Sequence, residues 1–159
     1  MALRIIRTVG DDVLRKVAKP VKEVTPRIRT LVQDMFDTMR HEDGVGLAAP
    51  QVGILKRIFI VQLENERRYV FINPEIIETQ GEFLDYEGCL SIPGESGVVK
   101  RPKYVKVKAM DEMGKEFTVE ATMLLARVIC HENDHLNGDL FTDKLEDVPE
   151  DFEPEEETV

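Results

Sequence analysis

Apolar residues recur along this chain with two different periods. After Thr25-Pro26, the residues Ile28, Leu31, Val32, Met35, Phe36 and Met39 fall at steps of three and four, a single stripe down one side of a helix. Thr25 reads as its N-cap, and Pro26 sits in the first turn, where a missing N–H costs nothing. The helix is expected to end near Asp43-Gly44. A shorter helical turn is expected around Asp11 to Ala18, stopped before Pro20. Further on the period shortens. Arg57 to Leu63 contains the run Ile58-Phe59-Ile60-Val61, and Tyr69 to Ile72 and Glu75 to Thr79 read as two short strands parted by Asn73-Pro74. Tyr104 to Met110 alternates cleanly, Asp111 to Lys115 reads as a turn, and Phe117 to Glu120 as the returning strand of a hairpin. A second helix is expected from near Thr122 to Asn137-Gly138, with glycine as a left-handed cap. Two helices flanking antiparallel hairpins predict an α+β domain.

That second helix holds the most informative segment, His131-Glu132-Asn133-Asp134-His135. Residues four apart share a helix face, so both imidazoles can converge on one ion. Glu132 reaches the same cavity from about 100° around the helix, placed to act on a metal-bound water rather than to ligate. A catalytic site of this kind takes a third protein ligand and keeps one position open. The pattern His-Glu-x-x-His-x-x-Gly-x-x-His is matched through Gly138, but its last position is Phe141. Tail glutamates such as Glu155 follow two prolines outside any expected helix. Cys89, in Glu87-Gly88-Cys89-Leu90-Ser91, lies on an expected turn, free to approach two imidazoles. Spacing alone leaves open whether Cys89 is that ligand or a small buried hydrophobe. Cys130 is expected to face away from the metal and pack in the core. A third segment, Gly44-Val45-Gly46-Leu47-Ala48-Ala49-Pro50-Gln51, follows the first helix. Its glycines permit close backbone approach, and the Gln51 amide could donate to a developing oxyanion.

Length and charge narrow the alternatives. At 159 residues the chain fits one domain, without internal repeats or Gly/Ser linkers. Apolar residues make up 42% and charged residues 33%, a soluble, charge-rich composition. The net charge of −10 is mostly local: Glu146, Asp147, Glu150, Asp151, Glu153, Glu155, Glu156 and Glu157 bring no base with them, and the remaining body carries only −2. We therefore expect a catalytic domain over 1–147 and an acidic, disordered tail over 148–159. Without clustered Lys and Arg there is no nucleic-acid binding motif. Arg4 and Arg7 interrupt any signal-peptide core, no stretch approaches a membrane span, and two cysteines do not make a disulfide framework. A cytoplasmic protein is expected.

Taken jointly and in order, the Gly44–Gln51, Glu87–Ser91 and His131–Gly138 segments resemble the three signature motifs of the peptide deformylase family, over a stretch reaching to about Leu145. The resemblance implies an α+β fold with antiparallel β-sheets around a central metal-binding helix and a long N-terminal helix. It implies Cys89 as the third ligand beside His131 and His135. The ion would be one Fe²⁺ per chain, which Zn²⁺, Ni²⁺ or Co²⁺ can replace. The reaction implied is removal of formyl from the N-terminal formylmethionine of nascent polypeptides, with release of formate and transient ribosome association. Metal-bound hydroxide attacks the formyl carbon, and Glu132 serves as general base and then acid. The oxyanion is held by the ion, the Gln51 amide and the Leu90 backbone N–H. By position in the motifs, the methionine slot falls to Val45, Gly46, Leu90, Leu124 and Val128, with the Arg127 stem at its rim. Asp134 is expected to pair with Arg101, and Glu87 to brace the turn carrying Cys89. Many relatives have Gln where this chain has Cys130, some have Arg where it has Ser96, and some end in a basic helix where it ends acidic. The rival readings are a zinc metallopeptidase of the HExxH type, completed by a tail glutamate, and a catalytically inactive metal-binding relative.

Overall fold

A computed structural model describes residues 2–64 and 66–155. Strands β1 (Gly46–Ala48), β2 (Ile58–Val61), β3 (Tyr69–Gln80), β6 (Tyr104–Met110) and β7 (Glu116–Thr122) form a five-stranded antiparallel sheet in the order β1-β2-β3-β6-β7. Strands β4 (Phe83–Cys89) and β5 (Ile92–Arg101) form a separate antiparallel ribbon. Helices α1 (Pro26–His41) and α2 (Met123–Leu136) complete the α+β architecture.

The run Ile58-Phe59-Ile60-Val61 is apolar at every position because both faces of the sheet are covered. Its alternation sorts the side chains. Phe59 and Val61 join Phe71, Val107, Ile129 and Leu136 in a core beneath α2. Ile58 and Ile60 turn the other way and meet Met35, Phe36 and Met39 of α1, together with Val70 and Ile72. The Phe59 and Phe71 rings stack with centroids 4.7 Å apart.

Helix α1 starts as its sequence predicts: Thr25 Oγ1 accepts from the Ile28 N–H at 3.3 Å, and Pro26 occupies the first turn. It stops at His41, two residues early. Glu42 caps it, Asp43 takes a positive φ of 57°, and the Gly44 N–H returns to the Met39 carbonyl at 2.9 Å. The helical turn expected over Asp11 to Ala18 shrinks to one 3-10 turn, Asp12–Arg15, because Asp11 Oδ1 caps the Val13 N–H and the chain then extends.

The two strands expected around Asn73-Pro74 are one strand, β3, with a shift in pairing between Ile72 and Glu75. Pro74 has no N–H to pair, and Asn73 adopts a φ of 52°. The Asn73 amide compensates by both donating to the Val21 carbonyl and accepting from the Val21 N–H at 2.8 Å. The strand-like stretches on either side of Cys89 are β4 and β5, whose bounds the sequence does not mark, and β1 has no sequence signal. Pro93, Gly94 and Gly97 in β5 depress any strand signal, and β1 is only three residues long.

Helix α2 ends where expected. Asn137 is the cap and Gly138 has a φ of 79°. A Cβ on Gly138 would lie 2.6 Å from the Arg15 carbonyl oxygen, whereas one on Gly10, at a φ of 104°, would meet nothing within 4 Å. Gly138→Ala is expected to cost about 2–3 kcal/mol and to lower Tm by roughly 4–12 °C. Gly10→Ala should lose only the part due to φ, about 1 kcal/mol. Equal losses in thermal unfolding would show that the Arg15 contact contributes nothing.

Candidate metal centre

Strand β4 and helix α2 deliver three ligand-type side chains to one point. Cys89 ends β4, and His131 and His135 lie one turn apart on α2. Their ligating atoms all fall within 4.8 Å of one another. Cys89 Sγ is 3.4 Å from His135 Nε2, and the two imidazoles meet edge to face with centroids 5.1 Å apart. A thiolate and two imidazoles suit a divalent transition metal.

Glu87 organises this arrangement. Its carboxylate accepts from Arg101 Nε at 2.8 Å, Arg101 Nη2 at 2.9 Å and Arg127 Nη1 at 2.6 Å, and its Oε1 lies 2.8 Å from His131 Nδ1. A carboxylate on Nδ1 fixes the ring and leaves Nε2 to face the ion. Arg101 also donates to Asp134 at 2.6 Å, and Lys144 Nζ lies 3.0 Å from the same carboxylate. Glu87, Arg101 and Arg127 are buried, each under 10% exposed.

Burial alone would raise the Glu87 pKa, but the hydrogen bonds from Arg101 and His131 outweigh it and hold the carboxyl well below the usual carboxylate range. For His131, burial opposes protonation, yet Cys89 and Glu87 reverse the balance and the pKa rises. Burial, reinforced by charged His131, pushes His135 well below its ordinary value. Glu132, buried beside the ligands, is pushed up to about 7 by desolvation.

Among the described residues, three buried side-chain atoms of this motif lack partners, Glu132 Oε1, Asn133 Oδ1 and His135 Nδ1. Such atoms are costly without a ligand or water, so the site fits an ion and its solvent. Gln51 is positioned by both ends of its amide. Its Oε1 accepts from the Ala48 N–H at 2.9 Å, and its Nε2 donates to Ser91 Oγ at 3.0 Å while lying 3.5 Å from Cys89 Sγ. A 3-10 turn, Ala49–Val52, carries it.

A cleft of about 550 Å³ opens beside these groups, and Val45, Gly46, Leu90, Leu124 and Val128 contribute to its walls. Val128 is buried; Leu124 is 46% exposed, a wall residue rather than core. The close approach of the Gly44–Gln51 loop requires glycine. A Cβ on Gly46 would lie 2.7 Å from Glu132 Oε2 and 2.9 Å from Val128 Cγ1, and one on Gly44 would lie 2.8 Å from Leu90 Cδ1.

Several expectations change. Arg127 does line the cleft, but its guanidinium is drawn inward by Glu87 and by the Val99 and Phe83 carbonyls, at 3.0 and 2.7 Å. Glu155 lies 3.4 Å from Lys103 Nζ, not among the ligands. Phe141, standing where the longer peptidase pattern has histidine, stacks on His131 at 6.2 Å. Cys130 is buried with Phe59 and Phe71, and burial raises its thiol to about 11. Sequence reasoning gave no role to Ser91 or Lys144. Ser91 closes the Glu87–Ser91 segment and so was within reach, whereas Lys144 had no signal.

A family profile for polypeptide deformylase matches residues 3–150. The chain belongs to the polypeptide deformylase family. Among deformylases, it is 57% identical to peptide deformylase 1 of Clostridium acetobutylicum over 145 residues, covering 91% of this chain and 96% of that one. It is 58% identical to the peptide deformylase of Clostridium botulinum over 144 residues, covering 91% and 97%. The deformylase structure from Thermotoga maritima superimposes with a TM-score of 0.89 at 42% identity, over 92% of this chain and all of that one. One from Synechococcus elongatus, in complex with actinonin, gives 0.88 at 46% identity, over 91% and 79%.

Glu87→Gln would strand two buried guanidinium groups and is expected to cost about 3–5 kcal/mol at neutral pH. Because the Glu87 pKa is depressed on folding, its contribution is complete above the unfolded value near ~4.3 and fades as pH falls through the folded value. Denaturant titrations of metal-free parent and variant should therefore begin to approach one another only below about pH 4 and keep closing as the pH falls further. A gap that stays constant from neutrality to acid would refute this role.

Proposed function

We propose that this cleft removes the formyl group from the N-terminal formylmethionine of newly made polypeptides, releasing formate. The observation that carries the reading is the three-ligand cluster of Cys89, His131 and His135 beside buried Glu132, whose Oε1 has no protein partner. Those three residues would hold one divalent ion, Fe²⁺ in our reading, with Zn²⁺, Ni²⁺ or Co²⁺ able to replace it. When bound, the ion supplies Lewis-acid activation of water and of the formyl oxygen.

The chain's own groups do the rest. Glu132 takes the proton of the attacking water and returns it to the leaving amine, and its desolvated carboxylate suits that exchange near neutral pH. The Gln51 Nε2–H and the Leu90 backbone N–H stabilise the charge that develops on the formyl oxygen. Ala48 and Ser91 hold the Gln51 amide in place, and the N–H that lies against Cys89 Sγ is the one that turns to the formyl oxygen. The methionine side chain occupies the slot formed by Val45, Gly46, Leu90, Leu124 and Val128. Arg101 and Asp134 act indirectly, by keeping Glu87 against His131. In this reading the protein works in the cytoplasm on nascent chains, in transient contact with the ribosome; among the described residues, no helix is long and apolar enough to cross a membrane.

Iron-loaded protein kept from oxygen is expected to release formate from a short formyl-methionyl peptide. Glu132→Gln should retain the metal and lose roughly 10²–10⁴-fold in kcat. Chelation should abolish release, and restoring the ion should recover it. Metal-loaded parent that binds the peptide but releases no formate would identify an inactive relative. Cleavage of internal peptide bonds instead would favour the metallopeptidase.

A further inference from the structure

After the 3-10 turn Phe141–Lys144, the chain runs back along the β4–β5 ribbon. Leu145 bridges to Val99, and the Glu146 N–H donates to the Val98 carbonyl at 2.8 Å. The segment then crosses β4. Phe152 meets the Tyr86 ring edge to face with centroids 6.0 Å apart, and Tyr86 Oη donates to the Phe152 carbonyl at 3.2 Å. Tyr86 also lines the cleft that holds Cys89, His131 and Glu132. Tyr86 thus borders both the cleft and the acidic segment, one residue before the carboxylate that orients His131. The disorder expected over 148–159 lies outside the described residues for 156–159. Over 148–155 the chain has no helix or strand, but Phe152 has this partner.

We propose that Phe152 is a positioning residue for substrate binding: it seats Tyr86 as a wall of the formyl-peptide cleft, so that the acidic segment sets peptide affinity without entering the chemistry. The inference rests on the function proposed above. An exposed tyrosine ring samples several rotamers in water, and each departure opens the wall it forms. An aromatic edge contact and a hydrogen bond to a backbone carbonyl together restrict it to one. Tyr86 touches no ligand atom, and Glu87, on the opposite face of β4, is held separately by Arg101 and Arg127. Loosening Tyr86 should therefore alter binding and spare the proton transfers.

The test uses full-length, metal-loaded protein and formate release from a formyl-methionyl tripeptide. Phe152→Ala should raise KM by about three- to tenfold, the strength of an aromatic contact expressed as an equilibrium constant, with kcat within twofold of parent. Phe152→Tyr should restore the parental KM. Tyr86→Ala should raise KM at least as much, and adding Phe152→Ala to it should change nothing further, because Phe152 acts only through Tyr86. An unchanged KM in Phe152→Ala, additive effects in the double variant, or a loss confined to kcat would each overturn the inference and leave the proposed function standing. A parent that releases no formate would overturn both.

Discussion

A carboxylate can stay ionised in an apolar interior only if cations and hydrogen bonds replace the water it has lost. Glu87 meets that demand with two guanidinium groups and an imidazole, and the rest of the site follows from how it does so. Arg101 comes from β5, Arg127 and His131 from α2, and Glu87 itself from β4. Satisfying one charge therefore locks the ribbon onto the helix. Cys89 follows Glu87 by two residues on β4, just past a shift in the β4–β5 pairing between Gly88 and Cys89. The strand that carries the thiol thus also carries the group that aims the first imidazole, and the helix period brings the second imidazole to the same place.

Such precision needs a rigid support. The sheet supplies it by burying both faces, with Phe59 and Val61 under α2 and Ile58 and Ile60 against α1. The helix bearing His131 and His135 cannot tilt without disturbing Ile129 and Leu136 in that core. From the other side, the Gly44–Gln51 loop closes down on the helix, and the missing Cβ of Gly46 lets its backbone pass directly over Glu132. Gln51 then reaches Cys89 from the far end of the same loop.

Local signals made the helices readable in the sequence. Thr25-Pro26 started α1, Asn137-Gly138 ended α2, and the apolar stripe of α1 is buried throughout. The ligand pair was legible because four residues along a helix is itself a geometric statement. Cys89 was not decidable from spacing, since its approach to the histidines depends on pairing of β4 with β5 that local composition hides. The buried partners of Arg127 were hidden for a related reason. Its position on α2 points toward the cleft, but the guanidinium is drawn inward by Glu87 and by carbonyls from β4 and β5, none of which its neighbours in sequence announce. Likewise, Asn73 holds β3 together across a proline by bonding to Val21, 52 residues away.

The two imidazoles look equivalent in the motif and are not equivalent in the fold. On His131, burial is outweighed by Glu87 at Nδ1 and the nearby Cys89, and the pKa rises. On His135, Nδ1 has no partner among the described residues, and burial beside His131 lowers the pKa. A ligating imidazole must give up any proton on the nitrogen that meets the ion, and a ligating cysteine binds as thiolate, so metal binding in this cluster is coupled to proton release. Glu87 is itself held by Arg101 and Arg127, so the ring it orients is fixed by the protein alone.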